Sequence, residues 1–268
     1  KFPPPNHISV LSCGSDHSAV VTGCGRLYTW GCGVSGCLGL GSEQTNRRRP
    51  HVWNLYDIGL FKHTKVKDVS CGEDHTAIVL NSGLVCTFGS GINGRLGHAD
   101  NKKRNKPKVV ESLRETHVST VVCGGKFTLL LTSDQTNPIV MSAGHGQTGA
   151  LGHGDRPTRS ARRKDCRTFQ VVKLLRDQRP FFLSAGAMHS AVLCGDGRCL
   201  TFGFGESGQL GRKLLGGGSS SDVPTKVRFP GKTQHNVRLC ICGVDTLYFL
   251  MTIMLCGRLV QTMLVNLD

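Results

Sequence analysis

The chain contains the pattern G-x-G-x-x-G four times, and each copy continues into x-L-G. The copies begin at Gly31, Gly89, Gly144 and Gly203, so their starts are 58, 55 and 59 residues apart. One copy alone would suggest a dinucleotide-binding turn, but that turn needs a helix that opens on the last glycine. Here Leu-Gly follows, and then polar residues and a proline, so no helix can start there. The spacing therefore indicates a repeated structural unit.

Aligned on the glycines, each unit predicts four short strands and no helical periodicity. In the second unit, the strands are expected at residues 66–70, 75–80, 84–88 and 107–110. Turns containing Gly, Asn or Asp separate the first three strands, and the glycine signature is a wide loop before the fourth. The repeats cover approximately residues 8–52, 66–110, 118–172, 181–227 and 237–268. The fifth repeat ends before any glycine loop.

Radially arranged four-stranded units of this size build β-propellers. The run C-G-x-D-H-[ST]-A, followed by G-x-[LV]-[YF]-T-[FW]-G-x-G-x-x-G-x-L-G-x-G, resembles the repeat of the regulator of chromosome condensation family. The resemblance covers nearly the whole chain and implies an all-β propeller of that type, as a single domain over residues 1–268. Proteins of that family are typically seven-bladed, whereas this chain has four full repeats and part of a fifth. We therefore expect an incomplete ring; missing blades, an open arc and a smaller closed ring are the alternatives.

The cysteine pattern favours packing over metal binding or disulfides. Cys13, Cys71, Cys123 and Cys242 share one position of the repeat, where a small buried residue fits. The 13 cysteines show no paired C-x-x-C spacing, so no zinc site is expected, and no cofactor motif appears. An odd number without a pairing pattern is typical of a reducing intracellular compartment. The apolar run 247–255 is too short to span a membrane.

The positive charge is concentrated at one position of the repeat. The formal net charge is +15, and the segments 42–51, 98–108, 153–167 and 212–222 hold 16 Lys or Arg against five Asp or Glu. These segments all follow the glycine signature, so a radial fold would gather them on one face. A basic face is typical of proteins that bind polyanions, most often nucleic acid; a solvated surface of variable loops is the alternative. The candidate nucleic-acid-binding residues are Arg47, Arg48, Arg49, Lys102, Lys103, Arg104, Lys106, Arg159, Arg162, Arg163, Lys164 and Arg167.

A repeated Asp-His pair, at 16–17 and 74–75, is the strongest catalytic candidate. Repetition favours a role in the fold instead, with the aspartate bonding the turn backbone and the histidine tying neighbouring strands. The third repeat has Lys126-Phe127 at this position, a replacement that a required catalytic residue would be less free to accept. No P-loop, helical histidine pair or G-x-S-x-G elbow is present. We therefore expect no enzyme activity and no catalytic residues.

The resemblance also implies one alternative function. The founding member of the family is a guanine-nucleotide exchange factor for a small nuclear GTPase, and it also contacts nucleosomes. Asp and His residues of the repeated turns take part in exchange, and the positions that match them here are Asp16, His17, Asp74, His75 and His189. Exchange also relies on an inserted wedge, which this sequence does not reveal. Fold alone does not assign an activity.

The sequence therefore predicts a non-enzymatic scaffold that docks through a basic face onto an acidic assembly. The expected partners are RNA or proteins of a ribonucleoprotein, such as a mitochondrial ribosome, or chromatin; a small GTPase is the alternative partner. We expect the chain to be part of a larger complex, without membrane contact, in the mitochondrion or nucleus. The first residue is Lys1 and no secretory hydrophobic region appears, which is consistent with a cleaved targeting peptide or a fragment.

Overall fold

The computed structural model describes residues 7–42, 51–57, 64–154, 164–214, 218–228, 235–255 and 258–266. Within these ranges the chain is almost entirely β-strand, and its helices are single 3-10 turns at Ile92–Gly94, Glu111–Leu113 and Lys173–Leu175. None of the helices in the described ranges is long or apolar enough to cross a membrane. The strands are β1 (Ile8–Cys13), β2 (His17–Thr22), β3 (Leu27–Cys32), β4 (His51–Asp57), β5 (Val66–Cys71), β6 (His75–Leu80), β7 (Val85–Gly89), β8 (Arg104–Val109), β9 (Val118–Cys123), β10 (Phe127–Thr132), β11 (Val140–Gly144), β12 (Cys166–Val171), β13 (Pro180–Ala185), β14 (His189–Cys194), β15 (Cys199–Phe204), β16 (Ser220–Lys226), β17 (His235–Cys242), β18 (Leu247–Leu255) and β19 (Arg258–Asn266).

The strands form five antiparallel sheets, each built from consecutive strands. We number them as blades: blade 1 (β1–β4), blade 2 (β5–β8), blade 3 (β9–β12), blade 4 (β13–β16) and blade 5 (β17–β19). The all-β propeller-type architecture expected from the repeats is therefore confirmed. Each glycine signature lies between the third and fourth strands of its blade, as predicted.

The fourth strand of blade 2 begins earlier than the sequence predicts. Pro107 was expected to start it, but β8 begins at Arg104, which pairs with Gly89. The register shifts between this pair and the Thr87–Lys108 pair, because a bulge accommodates the proline on an edge strand. Arg104 therefore lies in a strand rather than in the loop.

The hydrophobic core is divided into four clusters, each of which lies between two consecutive blades. The second strand of a blade explains this division, because its side chains alternate between the two neighbouring blades. In β6, Ile78 and Leu80 pack with blade 1, whereas Ala77 and Val79 pack with blade 3. All six residues of β6 are therefore buried, and in the sequence the polar pair 75–76 leads into the apolar run 77–80.

The first strand of blade 1 is more exposed than its counterparts. Leu11 is 58% exposed, whereas the equivalent Val69, Val121 and Leu183 are each 3% exposed or less. The preceding blade covers this position in blades 2 to 4, since the principal strand contacts of the described residues join consecutive blades. The incomplete ring itself stays a prediction.

The alternation of strand direction gives each blade two ends. One end carries the turn between the first and second strands, which we call the inner turn, and the glycine loop; we call it the glycine-loop face. The opposite end, the connection face, carries the turn between the second and third strands and the connections between blades. The inner turns are residues 14–16, 72–74, 124–126, 186–188 and 243–246.

Candidate functional site

One backbone hydrogen bond joins the inner turn of a blade to its glycine loop. The carbonyl of Asp74 accepts from the amide of Ser90 at 2.8 Å, and that of Asp16 accepts from Cys32 at 2.7 Å. The first glycine of the signature permits this approach: Gly89 has a φ of +107°, and a Cβ there would lie 2.4 Å from the Asp74 carbonyl oxygen. Blades 3 and 4 repeat the contact, which explains why the signature recurs.

A histidine at the start of the second strand connects consecutive blades. His75 Nε2 lies 2.9 Å from Thr128 Oγ1, and the Thr128 hydroxyl donates to the carbonyl of Arg95 at 2.8 Å. Because a hydroxyl has one proton to donate, His75 is the donor to Thr128. His17 and Thr76 make the same contact at 2.8 Å between blades 1 and 2. The prediction that these histidines tie neighbouring strands is confirmed, and the strands belong to different blades.

Blades 3 and 4 depart from this pattern. Phe127 takes the histidine position, and its ring packs on Gly124 as the histidine ring of blade 2 packs on the corresponding glycine. His189 faces blade 5, where Leu247 replaces the threonine. His189 therefore has no threonine hydroxyl of the next blade to bond. The position therefore serves packing in every blade and hydrogen bonding in only some.

Burial keeps these histidines neutral at pH 7. Burial lowers the pKa of His17 to about 4 and that of His189 to about 4, against smaller opposing effects of nearby aspartates. It also lowers the pKa of His75 well below its usual 6.5. A general acid or base works best with a pKa near the working pH. The histidines therefore fit a structural role better than proton transfer.

The aspartates of the inner turns differ from the sequence prediction. Asp16 and Asp74 were expected to bond the turn backbone through their carboxylates, and that prediction is wrong. Their main-chain carbonyls make the contacts instead, and in the described part of the chain neither carboxylate has a hydrogen bond or ion pair. Asp16 is exposed and Asp74 is half-buried, so both remain available on the glycine-loop face.

The cysteines of the inner turns line a central hollow. A cavity of about 610 Å³ lies where the five inner turns converge, and Cys71 and Cys123 are in its wall. Both are 6% exposed, and burial raises the pKa of Cys123 to about 12, so these thiols pack rather than react. Cys13, at the uncovered side of blade 1, is exposed. Within the described ranges, no three His, Cys, Asp or Glu side chains are arranged to hold a metal ion.

The structure places part of the predicted basic set on the glycine-loop face. Lys102, Lys103, Lys164 and Arg167 are exposed there, close to the ends of the glycine loops of blades 2 and 3. These two loops touch, since the side-chain amide of Asn93 donates to the carboxylate of Asp165 at 2.7 Å, and the amide of Ala99 donates to the carbonyl of Arg167 in β12 at 2.8 Å. Other predicted residues lie outside the described ranges: Arg47, Arg48, Arg49, Arg159, Arg162 and Arg163.

Arg104 and Lys106 belong to β8 and differ from the loop residues in their surroundings. The Arg104 guanidinium pairs with Asp100 at 2.7 Å and also donates to the carbonyl of Lys102, and its side chain is only 16% exposed. Arg104 therefore organises the loop, and its charge is compensated. Lys106 is exposed and lies beside Gly41 of blade 1. Lys103 reaches the same neighbour, since its ammonium donates to the carbonyl of Val34 at 2.6 Å.

A second hollow, of about 380 Å³, opens on the glycine-loop face between blades 1 and 2. Asp16, Asp74 and Glu73 line its inner part, and Val34 and Ile92 line its outer part. Sequence reasoning missed this groove. The available signal was the fourth residue of the signature, which is apolar in the first two copies and polar in the other two.

Comparisons with known proteins place this architecture in one family. Residues 24–79, 82–131 and 196–250 match the Regulator of chromosome condensation (RCC1) repeat. The E3 ubiquitin-protein ligase HERC2 of Homo sapiens is 33% identical over 203 residues, covering 75% of this chain and 4% of the ligase. The ultraviolet-B receptor UVR8 of Arabidopsis thaliana is 30% identical over 238 residues, covering 88% of this chain and 50% of the receptor.

Solved structures share the fold. Human WBSCR16 superposes with a TM-score of 0.76 at 18% identity, covering 94% of this chain and 63% of its own. Prp20p of Saccharomyces cerevisiae superposes with a TM-score of 0.77 at 20% identity, covering 96% of this chain and 58% of its own. The chain thus spans about half the length of the plant receptor and a small part of the ligase. The matched repeats and the five sheets together show that this chain belongs to the regulator of chromosome condensation (RCC1) repeat family.

Proposed function

We propose that this chain is a non-enzymatic interaction scaffold, which docks through basic residues of the glycine-loop face onto an acidic, nucleic-acid-containing assembly. The assembly is a ribonucleoprotein, such as a mitochondrial ribosome, or chromatin. The observation that carries the proposal is the exposure of Lys102, Lys103, Lys164 and Arg167 at two loops that touch each other. Adjacent cations on one face suit the regular spacing of phosphates along a nucleic acid.

The state of these side chains supports phosphate binding. In the described ranges, the charged groups of Lys102, Lys164 and Arg167 have no hydrogen bond or ion pair with the protein. Arg104 is engaged with Asp100, which holds the loop that carries Lys102 and leaves that ammonium in solvent. A phosphate would therefore meet cations that need not break an internal contact first.

The relatives are consistent with a binding platform. Prp20p, which has the same fold, has binding properties to Gsp1p and histones. In HERC2 the matched region is a small part of a much longer ligase, so the repeats there are one part of a multidomain protein. These similarities support a scaffold function for the repeats. The proposed class of partner is argued from the basic residues and not from the relatives.

The second candidate function is guanine-nucleotide exchange on a small GTPase. The observation that favours it is the pair of carboxylates of Asp16 and Asp74 on the glycine-loop face, neither of which has a hydrogen bond or ion pair within the described ranges. Release of a labelled guanine nucleotide from a panel of small GTPases measures this activity directly. A saturable acceleration that Asp16→Asn and Asp74→Asn abolish would favour exchange over the scaffold.

Charge reversal tests the scaffold proposal. The variant carries four substitutions on the glycine-loop face: Lys102→Glu, Lys103→Glu, Lys164→Glu and Arg167→Glu. A matched control carries four on exposed residues of the connection face: Lys173→Glu, Arg176→Glu, Arg179→Glu and Arg228→Glu. Binding to a fluorescent single-stranded RNA, a DNA duplex and a reconstituted nucleosome is measured by anisotropy at one salt concentration.

We expect the glycine-loop variant to lose binding by at least tenfold, since it removes four phosphate contacts and the counterion release that accompanies them. The control changes the net charge equally and should lose much less. Equal losses in both variants would mean that net charge alone drives binding. Unchanged binding in both would mean that the basic residues form only a solvated surface.

A further inference from the structure

The groove between blades 1 and 2 is acidic, whereas the glycine loops around it are basic. Asp16, Glu73 and Asp74 line its inner part. Lys103 is at its rim, but its ammonium is already bonded to the carbonyl of Val34 at 2.6 Å. The groove therefore presents three carboxylates, of which Glu73 lies 3.9 Å from the ammonium of Lys126, against the single ammonium of Lys103 at its rim.

One ring nitrogen of a buried histidine in the groove wall has no hydrogen-bond partner among the described residues. His17 is 3% exposed, and its Nε2 donates to Thr76 Oγ1, because the Thr76 hydroxyl donates to the carbonyl of Cys37 at 2.7 Å. The other ring nitrogen, Nδ1, is then an acceptor in the neutral ring, and it has no hydrogen-bond partner among the described residues. Nδ1 of His17 thus accepts no hydrogen bond from the described residues.

The equivalent place between blades 2 and 3 is filled by a side chain of the protein itself. Cys37 and Arg95 are the same residue of the repeat, directly before Leu-Gly, and their carbonyls accept the same threonine hydroxyl bond from the following blade. Arg95 is 2% exposed, and its Nε donates to the carbonyl of Ile92 at 3.0 Å. Its charge interacts with Glu73 and Asp74, which raise its pKa against the lowering effect of burial. Between blades 2 and 3, therefore, an arginine of the chain itself occupies the place that Cys37 leaves open.

We propose that the groove between blades 1 and 2 binds the arginine side chain of a protein partner, in the way Arg95 fills the neighbouring position. The guanidinium is placed between the carboxylates of Asp16 and Asp74, where charge-assisted hydrogen bonds are strong. The aliphatic part of the side chain lies against Val34 and Ile92, which are 43% and 61% exposed. This inference goes beyond the scaffold function, because it concerns a cationic protein segment and not the phosphates of a nucleic acid.

A peptide pair tests the proposal on the full 268-residue chain. Acetyl-Leu-Arg-Leu-amide is titrated into ¹⁵N-labelled protein, and its match, acetyl-Leu-citrulline-Leu-amide, has a neutral side chain of the same shape. We expect amide shifts at Val34 and Ile92 with the arginine peptide. The citrulline peptide should bind at least tenfold more weakly, because it lacks the charge that the carboxylates recognise.

Two variants separate the groove from general acidity. Cys37→Arg copies Arg95 into the open groove and should abolish binding of the peptide, with the fold intact by its amide spectrum. Asp16→Asn with Asp74→Asn should weaken binding by tenfold or more, whereas Glu115→Gln, an exposed carboxylate on the connection face, should leave it unchanged.

Equal binding of the two peptides, or shifts that persist in Cys37→Arg, would overturn the proposal. If Cys37→Arg failed to fold, the variant with Asp16→Asn and Asp74→Asn would test the proposal in the same titration, and unchanged peptide binding by it would overturn the proposal. The peptide titration uses the chain with its four basic residues unchanged, and its variants leave Lys102, Lys103, Lys164 and Arg167 in place, so its result does not depend on the nucleic-acid experiment. A chain that binds the peptide but no nucleic acid would keep this inference and remove the proposed scaffold function.

Discussion

Replacing His75 tests whether the repeated Asp-His pair acts in the fold. His75 is fully buried, and its Nε2 donates to Thr128 Oγ1 of the next blade at 2.9 Å. His75→Ala removes this hydrogen bond and leaves a cavity between blades 2 and 3. His75→Phe removes the hydrogen bond alone, because Phe127 in blade 3 shows that this backbone position accepts a phenyl ring packed on a glycine.

The two variants should differ in the free energy of unfolding. Truncating a buried ring to alanine costs about 3 kcal/mol, at the lower end of the range for large aromatic side chains because imidazole is small. Losing the hydrogen bond alone costs about 1 kcal/mol, since Thr128 keeps its own donation to Arg95. A chain of this size loses roughly 2 °C of melting temperature per kcal/mol. We therefore expect a fall of about 6 °C for His75→Ala and about 2 °C for His75→Phe.

Differential scanning calorimetry gives the melting temperatures, and RNA anisotropy below both transitions gives the affinity per folded molecule. The affinity should be unchanged in both variants, because His75 is buried and the basic loops lie elsewhere on the face. A loss of affinity without a loss of stability would refute the structural role of His75 and support the exchange hypothesis.

Three further predictions follow from the same geometry. The contribution of the buried histidines to stability should be complete at pH 7 and be lost between pH 6.5 and 4, because the unfolded chain binds protons that buried His17 and His189 do not. At pH 5 each histidine costs about 2 kcal/mol, and urea unfolding at stepped pH measures the loss. A flat profile over that window would contradict the burial account. Gly89→Ala should destabilise by about 2 kcal/mol or more, because its φ is +107° and its Cβ would lie 2.4 Å from a carbonyl oxygen, whereas Gly218→Ala, in open space, should be neutral in the same melt. A fluorescent fusion of the natural full-length protein should locate to the mitochondrion or nucleus, and a location in neither would remove the proposed partners.

The repeat explains why so much of the fold was readable from the sequence. The second strand β6 was predicted at its observed bounds, because its apolar run 77–80 and the two residues before it lie between two turn signals. The burial of Cys71 and the strand-tying role of His75 followed from their recurrence, since equivalent positions of successive blades meet equivalent neighbours. The start of β8 was wrong, because the bulge that accommodates Pro107 depends on pairing with Gly89 and has no local signature.

The site was less predictable, because it depends on contacts between blades. From the sequence, Arg104 was grouped with the neighbouring basic residues as a phosphate ligand. In the structure it is mostly buried and ion-paired with Asp100, so its charge is not available to a partner. The groove between blades 1 and 2 is open because Cys37 is small, whereas the long side chain of Arg95 fills the equivalent place between blades 2 and 3. The two residues can be compared in this way only when the structure shows the two grooves. A single sequence shows the two residues but not the space between them.

The salt dependence of RNA binding tests the central claim most directly. If Lys102, Lys103, Lys164 and Arg167 each neutralise one phosphate, the logarithm of the association constant should fall with the logarithm of salt concentration. The slope should be roughly −3, at about −0.7 per phosphate of a single strand. Replacing Lys102 and Lys164 by glutamine should flatten it to roughly −1.5. A slope near zero, or one that the substitutions leave unchanged, would contradict docking through the glycine-loop face.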